Sequence, residues 1–298
     1  MSVPILHIRH QFGCLATIGK AALSAMKKTD MDFSPAIPSE AVEDTIPPRH
    51  RFLIRDFVRH IGGEPEDYTN EVPPHFFPQW CVPTLSKTLQ GIPWDLTKIL
   101  NGGCEMVINQ PIPQNEALVV NASLSGFNRK ENMIIIEQKI FTGTASAPKS
   151  IEITQSSLIP LKVKKKNKGE KKPKEKPKVP LEAKEIGQIQ LKGSAGWEFA
   201  VLTGDFNPLH WVPMWAKAAG HASPINHGFS TMARSFEVLK NNVWEGSTEN
   251  LHKFSCRFTR PLKLPAEVGV FVEGNNVYVG NAPGHLAALV GSYEYKSN

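Results

Sequence analysis

The residues that could do chemistry gather in one segment of this chain, Phe199 to Gly228, which reads FAVLTGDFNPLHWVPMWAKAAGHASPINHG. Asp205 and His210 stand five positions apart around Asn207-Pro208. A residue before proline is pushed out of the α region, so the chain must bend between them. Such a bend turns a carboxylate and an imidazole toward one small volume, which is what acid/base work on a shared proton or water requires. Asn207 offers donors and an acceptor that would brace the pair. The same residues also read as a hydrogen-bonded structural turn. Gly228 lies just past the segment's PINH, at the start of a helical pattern, where a backbone N–H backed by the helix dipole could polarise a carbonyl.

Other chemistries find less support. His221 and His227 flank the turn before that helix and read as local hydrogen-bonding or packing residues. Ser230, in Gly228-Phe229-Ser230-Thr231-Met232, misses the GxSxG elbow of serine hydrolases. No P-loop, HExxH or dinucleotide GxGxxG occurs, so the motifs imply no nucleotide, metal or redox cofactor. The four cysteines (Cys14, Cys81, Cys104, Cys256) form no CxxC pair and suggest neither a zinc site nor a disulfide scaffold. A reducing compartment, and a cytoplasmic protein, is the expectation.

The elements that must position this segment show a faint internal repeat. Phe229, Met232, Ala233, Phe236 and Leu239 fall at helical spacing and predict a buried helix. Strand patterns follow at Lys253 to Arg260, Val268 to Val272, Asn276 to Gly280 and Leu286 to Tyr295. The first half offers strand candidates at Cys104 to Gln110, Ala117 to Leu124, Asn132 to Phe141 and Ser150 to Ile159, with Pro111 standing 150 positions before Pro261. Its equivalent helical stretch is expected at Leu85 to Leu100, interrupted by Gly91-Ile92-Pro93. A central helix followed by antiparallel strands, done twice, is an α+β plan.

The formal charge of +6 is local in origin. Lys162 to Lys178 holds ten lysines against two glutamates, so the remainder of the chain is mildly acidic. With its prolines and almost nothing apolar, that stretch reads as a solvated tether between two folded halves. Without interleaved aromatics it does not read as a nucleic-acid arm. No apolar run approaches the roughly 20 residues of a membrane-spanning helix. Residues 1–29 are basic, in the manner of an organellar transit peptide. Leu15, Ile18, Ala22 and Met26 recur at helical spacing and favour a surface helix there instead.

The string TGDFNPLH followed by PINHGF resembles the signature of the (R)-specific enoyl-CoA hydratases and MaoC-like dehydratases, which are hotdog-fold proteins. The resemblance covers about residues 185–295, and the tandem plan with its Lys/Pro-rich linker looks like the two-hotdog hydroxyacyl-thioester dehydratases. It implies a double hotdog, two antiparallel sheets each wrapped around a central helix. The division is an N-terminal extension (1–40), a degenerate hotdog domain (41–161), a linker (162–180) and a catalytic MaoC-like hotdog domain (181–298). It implies a hydro-lyase that interconverts (3R)-3-hydroxyacyl and trans-2-enoyl thioesters of coenzyme A or acyl carrier protein, with no cofactor. Asp205 and His210 would hold one catalytic water, Asn207 would support them, and Gly228 would polarise the thioester. Phe206, Trp211, Trp215, His227 and Phe229 are the candidates for substrate contact. Sliding Phe57 to Tyr68 onto Phe199 to His210 aligns Gly62 with Gly204 but puts Gly63 where Asp205 stands and Tyr68 where His210 stands. The first half is therefore expected to have lost the chemistry. A monomer or homodimer is the expected state. A hotdog thioesterase and a non-catalytic acyl-binding or scaffolding protein are the competing readings.

Overall fold

Alternating apolar residues mark the strands of this chain, and the computed structural model describes residues 3–24, 33–161 and 175–297. In chain order the elements are α1 (Phe12–Ser24), β1 (Val42–Ile46), α2 (Arg51–Ile61), β2 (Glu71–Val72), α3 (Pro78–Thr88), β3 (Leu100–Ile108), β4 (Ile112–Pro113), β5 (Leu118–Lys130), β6 (Met133–Thr144) and β7 (Ile151–Pro160). The second half follows with β8 (Lys184–Leu191), α4 (Ala195–Thr203), α5 (Pro213–Ala218), α6 (Gly228–Asn242), β9 (Leu251–Phe258), β10 (Ala266–Glu273), β11 (Asn276–Gly280) and β12 (Leu289–Tyr295).

Ten of these strands form one antiparallel sheet in the order β1-β5-β6-β7-β3-β9-β12-β11-β10-β8, and β2 pairs with β4 separately. The expectation of two separate sheets is corrected here. Each half contributes five strands, and an unpaired edge on each would invite association. β3 and β9 instead pair with one another, from Gly103 opposite Arg257 to Val107 opposite Lys253. Gly103 makes that seam possible, because a Cβ there would stand 2.1 Å from the Cys256 carbonyl oxygen.

Apolar residues of α2, α3, α6 and both sets of strands merge into one core, with Phe57, Phe76, Phe199, Phe236 and Phe254 almost wholly buried. Each such side chain contributes roughly 1.5–3 kcal/mol relative to exposure. The first-half helix lies earlier than expected, at Pro78–Thr88, and the Leu85 to Leu100 stretch is not its span. Pro78 presets the first turn. Past Thr88 the chain turns through Gly91 at φ +83° instead of continuing.

α2 and α4 both end on a glycine in the left-handed region, Gly62 at φ 89° and Gly204 at φ 84°, which only glycine adopts without strain. Each is followed by a short 3-10 turn, Pro65–Tyr68 and Pro208–His210. The interval from His210 to Gly228 is longer than that from Tyr68 to Pro78, and the extra chain carries α5.

Most of the lysine-rich tether lies outside the described residues. Its end does not hang free: Lys178 bridges Leu286, and Val179 is buried beside Ala183, Phe271 and Ala287. α1 is present where helical spacing placed it, although Met26 lies outside the described residues. It is not simply a surface helix, since Gln11 and Cys14 at its start are buried.

Candidate active site

Gly204 reverses the chain at the end of α4 and delivers Asp205 to the junction with the 3-10 turn. Asp205 Oδ1 accepts the Asn207 N–H at 3.4 Å, and Asn207 Oδ1 caps the turn by accepting the Leu209 N–H at 3.1 Å. Asn207 therefore shapes the bend that presents Asp205 and His210, through these caps to the main chain.

His210 closes the turn. Its Nδ1 lies 2.8 Å from the Ile225 carbonyl oxygen. A carbonyl only accepts, so Nδ1 carries the ring proton and Nε2 is left as the nitrogen that can take or return one. The ring stacks on His227, centroids 3.7 Å apart at 28°. His227 Nε2 donates to the Asp205 main-chain oxygen at 3.0 Å and stands 3.9 Å from Asp205 Oδ2. Burial, reinforced by His210, lowers the His227 imidazole to about 3, so it is neutral at pH 7. His227 is 1% exposed. It holds Asp205 in place from below, while the Asp205 side chain is 35% exposed and open to a reactant.

Donor atoms of Asp205, His210 and His227 all lie within 4.8 Å of one another, and this is where a metal ion could be held. His210 Nδ1 and His227 Nε2 are already spent on main-chain carbonyls. The arrangement suits proton transfer between Asp205 and the free Nε2 of His210 across a small bound molecule.

α6 begins beside this trio. His227 is its N-cap, and its side chain makes no hydrogen bond to the first N–H groups. A Cβ on Gly228 would lie 2.5 Å from the Phe258 ring, so packing as well as approach demands glycine there.

The expected aromatic contacts divide. Phe206 and Trp211 join Trp197, with centroids 5.8 and 5.0 Å from it, and Trp211 Nε1 donates to the Phe206 carbonyl. Phe229 is buried edge-on between Phe77 and Phe258. Trp215 is not drawn in, and it stays 59% exposed on α5 beside Met214.

The sequence reading missed three contributors. Gln11 is fully buried and donates to the Val201 and Leu202 carbonyls at the end of α4, while its own Oε1 accepts from Gln79 of α3. Cys14 packs against Gly204, where a Cβ would come within 2.5 Å of it, and burial next to Asp205 pushes its thiol up to about 12. Asn226 donates to Thr231 Oγ1 and ties the PINH turn to α6. Only Asn226 carried a signal, as part of PINHGF. The buried ends of long-range hydrogen bonds leave no trace in spacing.

In the first half, the position matching Asp205 is Gly63, and a Cβ there would meet the Glu237 carboxyl at 2.5 Å. Glu237 of α6 fills that space. It accepts from Tyr68 Oη at 2.7 Å and lies 3.1 Å from Lys240 Nζ and 3.3 Å from His75 Nε2.

Comparison with known proteins finds relatives of both the sequence and the fold. Residues 165–293 match the family description "MaoC like domain". A Mycobacterium tuberculosis protein named 3-hydroxyacyl-thioester dehydratase X is 35% identical over 100 residues, 34% of this chain and 33% of its own length. The peroxisomal enoyl-CoA hydratase 2 of Arabidopsis thaliana is 24% identical over 220 residues, 68% of each chain. The chain thus spans a third of the first relative's length and about two thirds of the second's. The crystal structure of HtdX from M. tuberculosis superposes with a TM-score of 0.68 at 18% identity, covering 86% of this chain and 100% of that one, and so shares its fold.

Proposed function

Taking as premise that this chain carries a MaoC-like domain over residues 165–293, we propose that it is a hydro-lyase of fatty-acid metabolism. It interconverts (3R)-3-hydroxyacyl and trans-2-enoyl thioesters of coenzyme A or acyl carrier protein. The observation that carries this reading is the gathering of Asp205, His210 and His227 donor atoms within 4.8 Å of one another, with His210 Nδ1 committed to the Ile225 carbonyl, beside the start of α6.

In hydration, a water held between Asp205 and His210 adds its oxygen to C3 of the enoyl chain. The pair takes the water's proton and delivers one to C2, so one H and one OH are added across the double bond. Negative charge builds on the thioester oxygen meanwhile, and the Gly228 N–H with the dipole of α6 stabilises it. The two groups act as a coupled pair. Dehydration is the reverse. The neutral His227 keeps Asp205 aimed without competing for the proton. Phe206 and Trp211 form an apolar wall beside the turn, which fits an acyl thioester.

The two five-stranded sets and their helices, residues 41–161 and 181–298, act as two hotdog halves of unequal role. Gly63 and Tyr68 in place of an acid and a histidine leave the first half without a proton-handling pair, and Glu237 occupies its counterpart space. The joined sheet supplies the pairing that a single hotdog obtains from a second copy, which supports a monomer, with a homodimer as the other state. A reducing, cytoplasmic setting completes the reading.

The test is loss of enoyl absorbance on a short trans-2-enoyl-CoA, with chiral analysis of the product and thiol detection in parallel. Formation of the (3R)-3-hydroxyacyl product without released thiol supports the lyase. Released thiol would favour a thioesterase, and no reaction on short, long or carrier-bound chains would favour a binding protein.

A further inference from the structure

The N-terminal segment that braces the catalytic turn also walls a cavity of about 360 Å³ between the start of α1, the β1–α2 connection and α3. Arg9, His10 and Arg49 line it together with Phe12, Gln79 and Trp80. Its charge is one-sided. Among the described residues neither arginine has a carboxylate within ion-pair distance. Arg49 instead donates to the Pro47 carbonyl and to Gln79 Oε1 at 3.1 Å, and Arg9 Nε donates to His10 Nε2 at 3.3 Å. That leaves N–H groups on both guanidinium forks uncommitted. Asp56, an acid of the neighbouring α2, is already occupied by His7 at 2.7 Å and Arg55 at 2.8 Å.

The local field registers on His10, whose imidazole is lowered to about 4 by burial and then by Arg9, His50, His7 and Arg49. Unpaired guanidinium groups around a cavity select an anion, and the planar fork with several donors matches the oxygens of a phosphate. The cavity also shares walls with the active site. Cys14 lines it and packs against Gly204 on its other side, and Gln79 lines it while holding Gln11, which holds the end of α4.

We propose that this cavity is a phosphate site that takes the phosphate-bearing arm of the thioester carrier, with Arg9 and Arg49 as its charged ligands. This rests on the acyl-thioester reading above and extends it by naming residues that bind the carrier instead of the acyl chain. Both candidate carriers present such a phosphate: coenzyme A on its nucleotide end, and acyl carrier protein on its phosphopantetheine arm. A ligand seated there would draw the N-terminal segment against the catalytic turn, so carrier binding and the placing of Asp205 would be linked.

The test is calorimetric titration of the full chain with coenzyme A, 4′-phosphopantetheine and phosphate-free pantetheine, with no turnover involved. Wild type should bind coenzyme A, alone or together with phosphopantetheine, at least about tenfold more tightly than pantetheine. Loss of a charge-assisted hydrogen bond predicts that Arg49→Ala and Arg9→Ala each weaken the phosphate-dependent contacts by about tenfold and leave pantetheine unchanged. Arg9→Glu, on an exposed side chain, reverses the charge with little risk to folding and should weaken them further. Equal binding by coenzyme A and phosphopantetheine would place the arm's own phosphate in the cavity. A strong preference for coenzyme A would place its nucleotide end there, and either outcome supports the site. Equal binding of all three compounds, or affinities unmoved in all three variants, would overturn it. Arginine-dependent binding by a protein that hydrates no enoyl thioester would overturn the lyase reading and leave the phosphate site standing.

Discussion

Replacing Lys240 with methionine strikes the junction between the two halves at its most constrained point. Lys240 is 1% exposed, and its ammonium lies 2.6 Å from Asp67 Oδ2, 3.1 Å from Glu237 Oε2 and 4.3 Å above the Tyr68 ring. Methionine fills similar volume but leaves Glu237, also 1% exposed, without its cation. Breaking a buried ion pair by removing one partner costs about 3–5 kcal/mol, much of it the penalty of the stranded charge. For a chain of this size that is a fall of roughly 10 °C in Tm. Adding Glu237→Gln removes the stranded charge, so the double variant should be more stable than Lys240→Met alone, with a coupling of about 2 kcal/mol.

The pH dependence follows from Glu237. Burial raises its carboxyl above the ordinary range, against the opposing pull of Lys240 and Tyr68. Without Lys240 it rises further. A raised folded-state value means stability that is present below the unfolded value and lost as pH rises through the folded one. The deficit of Lys240→Met relative to wild type should therefore be larger at pH 8 than at pH 5. Urea denaturation of Lys240→Met, Glu237→Gln, the double variant and wild type at both pH values measures all of this. A deficit below about 1 kcal/mol, additive single variants, or a deficit indifferent to pH would refute the reasoning.

Gly228→Ala places a Cβ 2.5 Å from the Phe258 ring, and such overpacking costs about 1–3 kcal/mol by denaturation while lowering the hydration rate. Phe258→Leu in the same chain should restore part of the stability. Gln11→Ala removes two hydrogen bonds to the end of α4 and should speed hydrogen exchange from Thr203 to Phe206, with a loss of about 1–3 kcal/mol in global stability. His227 has its folded value depressed to about 3, so between about pH 6.5 and that value the unfolded chain holds a proton the folded one does not. Folding stability should fall as pH drops through this window. His227→Phe, whatever its cost at pH 7, should flatten that slope by about 1.4 kcal/mol per pH unit in denaturation series from pH 6 to pH 4.

Much of this architecture was legible because its physics is local. The strands β5, β6, β7, β9, β10, β11 and β12 announce themselves by alternation, and α6 by its apolar spacing without internal glycine or proline. The outermost strands β1 (VEDTI) and β8 (KEIGQIQL) escaped, since an edge strand carries charge and polar residues that blur the pattern. The first-half helix was misplaced because Pro78 and Pro83 look like breakers, although Pro78 sits in the first turn where its missing N–H costs nothing. The union of the two sheets depends on Gly103 approaching the β9 backbone, which no periodicity reveals. At the site, the bend between Asp205 and His210 follows from Pro208, and the structure places both beside the start of α6. The stacking of His210 on His227 and the clamp from Gln11 and Cys14 are tertiary contacts between distant segments. Trp215, singled out for its size, stays exposed because α5 presents it away from the Trp197 cluster.

The central claim is that Asp205 and His210 act together on one water, and the most direct measurement is kcat for enoyl-thioester hydration in wild type, Asp205→Asn, His210→Ala and the double variant, each with its folding checked by urea denaturation. A positioned acid/base group contributes about 10²–10⁴-fold, so each single variant should lose at least that much, and the double should lose little more than either, as groups acting as a unit do. Retention of activity within about tenfold in either single variant, or losses that multiply in the double, would contradict the shared-water pair.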